Sequence, residues 1–235
     1  MKPGKTNRPN HHVRTGQRER PDRLKQRFEP QQRVKNPANW PDLVYGKNAV
    51  YEVLRAGKRK VYKILLSEGL EHLSETPLYK AIKSKNIPCE QVTRAELDRL
   101  TQGAIHQNVV AQVAPYPDYQ LFEVFEETSV KKLVLVLDCV QDPQNFGTLC
   151  RSALAFGVRE IVVPKDRASS ITPVVCKASS GAVEHLKIIF VTNLARSLDE
   201  FKKHGFWVYG ASLDARSQAL NAVQPSSKSA VVVGS

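Results

Sequence analysis

Between Val44 and Val233, short apolar runs alternate with segments whose apolar residues recur at helical spacing, the pattern of strands alternating with helices. Val50, Val53 and Leu54 predict a helix over 47–55 that Gly57 stops. A strand follows over 61–66, then a helix over 77–84 on Leu78, Ala81 and Ile82, a short strand over 87–92, a helix over 94–100 and a strand over 109–113. This alternation predicts a small α/β sandwich. Pro115 to Tyr119 is turn-rich and the acidic stretch 123–128 follows it, so a boundary falls near Pro117. Beyond it, strands are predicted over 133–137, 160–163, 185–191, 206–209 and 230–233, with helices over 148–156, 173–180 and 194–204. Apolar strands interleaved with helices predict a Rossmann-like parallel sheet covered on both faces. The expected fold class is therefore α/β, with two domains at 42–116 and 131–235 joined by a linker over 117–130.

Charge adds an arm to this picture. The chain has 235 residues and a formal net charge of +12, and its first forty-one residues hold eleven Lys or Arg against three acidic groups. With almost no apolar residues, segment 1–41 cannot bury a core and is expected to be disordered alone. It reads either as an electrostatic tether for RNA or as a solvated tail. Glu19, Asp22 and Glu29 argue against a transit peptide, and no apolar run is long enough for a secretion signal or a membrane span. Cys89, Cys139, Cys150 and Cys176 show no C-x-x-C pairing, which predicts reduced thiols and a cytoplasmic protein. The six histidines have no ligand spacing, so no metal is expected.

Ligands of open parallel sheets bind beyond the carboxyl ends of the strands, which directs attention to the residues after Leu137. There Asp138 to Gly147 lead into a helix on which Leu149, Ala153 and Phe156 form one stripe. Arg151 lies about 140° to 200° from all three, so it faces away from the core. On one reading Asn145 caps the helix and Arg151 makes a surface ion pair. On the other, a strand-end loop aims Asn145 and Arg151 into one pocket, where an amide and a fixed cation grip a phosphate and a ribose. Spacing leaves both open. With Gly147 as the only glycine of the turn, a dinucleotide fingerprint is absent.

Asn145-Phe146-Gly147-Thr148-Leu149-Cys150-Arg151 resembles the N-x-G-x-x-x-R first motif of the SpoU/TrmH RNA methyltransferases, within a similar lead-in and an A-x-x-F-G continuation. Pro173 to Ala182 and Asn193-Leu194-Ala195 resemble later family segments. Tyr45-Gly46 through Leu54, with His106-Gln107, resembles the small substrate-binding domain of the ribosomal-RNA members, whose fold is akin to ribosomal protein L30e. The family usually has Gly after His-Gln, where this chain has Asn108. The resemblance implies a SPOUT fold and methyl transfer from S-adenosylmethionine to a ribose 2′-hydroxyl of structured RNA. A guanosine of 23S ribosomal RNA is the first expectation. The alternatives are a tRNA methyltransferase and a non-catalytic RNA-binding protein.

Asn145 and Arg151 become the expected catalytic residues, with Arg151 orienting a phosphate and assisting deprotonation. Gly234, Ala211 and Ser212 become cofactor contacts, and Arg55, Lys58, Arg59, Lys60, His106 and Gln107 become RNA contacts. A homodimer is implied, in which the arginine of one protomer completes the pocket of the other. Val231 to Ser235 resembles the strand that opens the second motif, so the chain is expected to stop before the trefoil knot that holds the cofactor, and as given to bind it weakly or not at all.

Overall fold

The computed structural model describes residues 42–68, 73–126, 130–166, 168–215 and 217–234. The basic arm expected over 1–41 lies outside the described residues. From Asp42 onward two sheets form in succession. The first runs β1 (Asp42–Tyr45), α1 (Lys47–Ala56), β2 (Val61–Leu66), α2 (Pro77–Ser84), β3 (Cys89–Gln91), α3 (Arg94–Leu100) and β4 (Val109–Val113), with strand order β1-β4-β2-β3. The β1/β4 and β2/β4 pairs are antiparallel and β2/β3 is parallel.

Helix boundaries follow local chemistry. Thr76 accepts a hydrogen bond from the Tyr79 amide and Pro77 opens α2, while Thr93 accepts from the Glu96 amide at the start of α3. Alternation along the strands sorts the two faces of the sheet. Ile64, Leu66, Val109 and Ala111 meet α1 and α2 on one side, and Tyr45, Leu65 and Val110 meet Leu97 of α3 on the other.

The second sheet is built from β5 (Lys132–Asp138), β6 (Glu160–Pro164), β7 (Lys187–Val191), β8 (Trp207–Gly210) and β9 (Lys228–Gly234), all parallel, in the order β7-β6-β5-β9-β8. Helices α5 (Pro143–Ala155) and α6 (Pro173–Ala178) cover one face. Helix α7 (Leu194–Lys203) covers the other, where Phe201 packs among Val134, Val162, Ile189 and Phe206.

Three expectations need correcting. The acidic stretch expected to be linker contains a short helix, α4 (Phe122–Glu126), because Val124 is buried against the Phe201 cluster. Helix α5 begins five residues earlier than the predicted 148, at Pro143. Its buried stripe is Phe146, Gly147, Cys150 and Ala153 rather than Leu149, Ala153 and Phe156, and Phe156 is 83% exposed.

The two sheets share one core, with Val50 and Val53 in the same apolar cluster as Phe146, Cys150 and Val175. At the seam Arg59, which is buried, donates from Nε to the Ala114 carbonyl at 2.7 Å, from Nη1 to Glu184 at 3.1 Å and from Nη2 to Asp42 at 3.2 Å. The Tyr116 hydroxyl lies 2.8 Å from the Leu186 carbonyl and 3.1 Å from that of Val183. His185 pairs with Glu52 at 2.6 Å.

Candidate functional site

The carboxyl ends of β5, β9 and β8 lie side by side, with Asp138 opposite Gly234 and Gly210 opposite Val232. At the end of β5 the chain reverses through Cys139, whose φ of 59° is unusual for a residue with a side chain. Asp142 then caps α5, accepting from the amides of Gln144 at 3.3 Å and Asn145 at 3.1 Å, and Pro143 fills the first helical position. The cap is therefore Asp142, which frees the Asn145 side chain from the capping role one reading gave it. Asp-Pro ahead of an apolar stripe is a start signal visible in sequence.

Asn145 and Arg151 both lie on the exposed side of α5, and among the described residues neither side chain has a hydrogen-bond or ion-pair partner. Gly147 is buried, roughly opposite Asn145 and one turn before Arg151. A Cβ there would sit 2.6 Å from the Ala178 Cβ and 2.9 Å from the Ser179 amide nitrogen, so glycine is what lets α5 lie against α6. Cys150, one turn on, is a packing residue whose thiol burial pushes up to about 12.

Ala211 and Ser212 follow β8 directly, and the Ala211 amide donates to the Val232 carbonyl at 2.9 Å. These residues and Gly210 line a cleft of about 950 Å³ whose apolar wall includes Leu133, Leu220 and Val231. A Cβ at Gly210 would meet nothing within 4 Å, and Gly234 abuts Asp138 at the next strand end. Small residues, exposed main chain and an apolar wall fit a nucleoside-bearing cofactor such as S-adenosylmethionine, and the cleft is of ordinary ligand-site size.

The six expected RNA contacts do not form one surface. Arg55 is exposed at the end of α1 with Glu52 at 3.4 Å, and Lys60 is exposed with its ammonium 5.4 Å from the Tyr62 ring centre. Lys58 donates to the Leu186 carbonyl at 3.0 Å across the seam. Arg59 is consumed by the buried contacts above. His106 is buried, its Nε2 2.9 Å from Asp98 and its Nδ1 accepting from the Asn108 amide at 3.1 Å. Burial thus corrects the expectation for Arg59 and His106, whose side chains serve the scaffold.

Gln107 sits at the other end of α1, at Lys47, about 12 Å from Arg55 by helix rise. Its Oε1 accepts from the Lys47 amide at 3.1 Å and from Lys177 Nζ at 2.7 Å. Burial lowers the pKa of that Lys177 ammonium. Asn108 has φ 65°, which explains why glycine suits this position and why asparagine, tolerant of left-handed backbone, can replace it.

Glu184 was invisible as a site residue because its partner Arg59 is 125 positions away. Burial raises its pKa, with Arg59 opposing the shift.

Comparison with known proteins supplies a family. A family model described as the SpoU rRNA Methylase family matches residues 132–235, and one described as RNA 2′-O ribose methyltransferase substrate binding matches residues 43–119. The chain is 40% identical over 197 residues to YacO of Bacillus subtilis, named as a TrmH family tRNA/rRNA methyltransferase, covering 83% of this chain and 78% of that one. It is 38% identical over 180 residues to the 23S rRNA (guanosine-2′-O-)-methyltransferase RlmB of Pseudomonas putida, covering 75% and 72%. Among solved structures, the SpoU methyltransferase AviRb from Streptomyces viridochromogenes in complex with AdoMet aligns with a TM-score of 0.62 at 20% identity, covering 82% of this chain and 72% of that one, a likeness of fold. In the described residues no helix is long and apolar enough to cross a membrane.

Proposed function

The chain belongs to the SpoU/TrmH family of S-adenosylmethionine-dependent RNA ribose 2′-O-methyltransferases, and we propose that Asn145 and Arg151 are its catalytic residues and ribosomal RNA its substrate. The observation that carries the assignment is the pair of exposed, partnerless polar side chains on α5, Asn145 in its first turn next to the carboxyl end of β5 and Arg151 about 9 Å further along the helix. S-adenosylmethionine, when bound, supplies the methyl group. The ribose hydroxyl is a weak nucleophile, so positioning it in line and removing its proton are the tasks left to the protein. Arg151 holds the adjacent phosphate and orients it so that a phosphate oxygen takes the proton of the 2′-hydroxyl. Asn145 holds the ribose, and Gly234, Ala211 and Ser212 hold the cofactor. No step calls on a metal ion.

The small domain recognises the RNA, through exposed Arg55 and Lys60 at one end of α1, while Gln107 mainly fixes the seam. A guanosine of 23S RNA is the proposed target, by likeness to RlmB; YacO, named for both tRNA and rRNA, keeps tRNA as the competing substrate. We infer a homodimer, because exposed Arg151, Phe156 at 83% and Leu133 at 40% exposure offer polar and apolar groups to a second copy. Four free cysteines suit the reducing cytoplasm.

The test is Arg151→Ala. Methyl transfer to 23S RNA falls by about two orders of magnitude or more, while RNA retention and thermal stability persist. Preserved activity removes the catalytic assignment, and preferential methylation of tRNA removes the substrate assignment.

A further inference from the structure

Tyr119, in the segment that joins the two sheets, bridges to Ile189 of β7 and stands beside two ammoniums, one from each domain. The Lys58 ammonium is 5.7 Å from its ring centre and the Lys187 ammonium 6.0 Å. The Lys187 amide donates to the Arg159 carbonyl at 2.8 Å, and the Lys58 ammonium reaches the Leu186 carbonyl at 3.0 Å, so Arg159 and Lys187 leave adjacent main chain that Lys58 touches with its side chain. The carboxylates beneath them are already used. Glu160 is buried with Lys132 at 3.2 Å, and Glu184 is buried with Arg59 at 3.1 Å. Among the described residues Lys58, Arg159 and Lys187 have no carboxylate within ion-pair distance.

Clustered like charges repel one another. The pKa of Lys58 is lowered, first by burial and then by Lys187, with Glu184 and Glu160 opposing the shift and Arg159 adding to it. A bound anion would reverse that repulsion, and a guanidinium beside two ammoniums is a donor set suited to phosphate oxygens.

We propose that Lys58 and Lys187, whose ammoniums both stand near the Tyr119 ring at the seam of the two domains, form with Arg159 a second RNA-backbone site that grips a phosphate remote from the methylated nucleotide. The inference rests on RNA being the substrate, and it adds a contact at the amino ends of β6 and β7, where Arg159 and Lys187 stand.

The test measures binding of the full chain to a fluorescent mixed-sequence RNA hairpin across a salt series. Each lost phosphate contact lowers the slope of log affinity against log salt by roughly 0.7 to 0.9. The triple variant Lys58→Ala, Arg159→Ala, Lys187→Ala loses about 0.7 to 0.9 units of slope and roughly sixfold in affinity at 0.1 M salt. Arg159→Gln alone, on an exposed side chain, loses a smaller part of that slope. A control with the same charge loss on α7, Arg196→Ala, Lys202→Ala, Lys203→Ala, keeps the wild-type slope. An unchanged slope in the seam variants, or an equal fall in the control, overturns the site. A wild-type chain that binds the hairpin with this dependence yet methylates no RNA sinks the catalytic proposal and leaves the seam site standing.

Discussion

Replacing Arg59 with methionine removes a guanidinium whose side chain is 2% exposed and which holds Glu184, itself 1% exposed, at 3.1 Å. Asp42, the second carboxylate, is 40% exposed and exchanges its partner for water. Glu184 has no such recourse, and keeps only the weak Cys176 thiol at 3.6 Å. Stranding one member of a buried pair costs about 3–5 kcal/mol, a large part of the roughly 5–15 kcal/mol that holds a domain together. Burial already raises the Glu184 pKa against the opposing pull of Arg59, so without Arg59 it rises further. Above the unfolded value of about 4.3, the folded variant then holds a proton that the unfolded chain has released. The penalty is thus smallest in acid and grows as pH rises through the folded pKa, by at most about 1.4 kcal/mol per pH unit. Urea unfolding at pH 5.5 and 7.5 reads this directly: Arg59→Met loses more at 7.5, and adding Glu184→Leu restores most of the loss at both. Equal losses at the two pH values, or a double variant as weak as the single one, would refute a buried ion pair as the lock of the seam.

Gly147→Ala places a Cβ 2.6 Å from that of Ala178, so α5 must shift from α6; a loss of about 1–3 kcal/mol and weakened methylation follow, measured by denaturation and methyl-transfer assay. Wild-type stability and activity together would show that the glycine serves no helix contact. Asn108→Gly stays within about 0.5 kcal/mol of wild type, whereas Asn108→Val loses roughly 1–2 kcal/mol through its left-handed backbone, φ 65°. Thermal melts order the three, and a valine variant as stable as the glycine one contradicts the backbone argument.

Local signals located most of the fold. The bounds of β2, α2, α3 and β4 follow from alternation, threonine caps and a Pro at the first helical position. Strand β1 escaped notice because four residues carry little pattern, and its partner β4 pairs with it from nearly seventy residues away. The start of α5 was misplaced because Asn145 competed with Asp142 for the cap, and an asparagine in a first turn looks like a cap until the Asp-Pro before it is weighed. The chemistry divides in the same way. Arg151 is exposed as expected, although the buried stripe is not the one the expectation rested on, while the burial of Arg59 and His106 depended on partners that no local window contains.

Helix α6 explains why the seam matters to the site. One side of it receives Gly147 of α5 at contact distances that only glycine permits, and α5 carries Asn145 and Arg151. Its other side meets the first domain: Lys177 holds Gln107 at 2.7 Å, and a Cβ on Gly181, just beyond the helix, would fall 2.5 Å from the Glu52 Cβ of α1. The φ of 85° at Gly181 makes that close approach available to glycine alone. The first sheet is thereby fixed to the helix that carries the proposed catalytic pair, with Arg59 and Glu184 closing the same seam from beneath. On that assignment, an RNA held by the small domain meets Arg151 at an angle set by packing, and substrate selection and catalysis are coupled through α6.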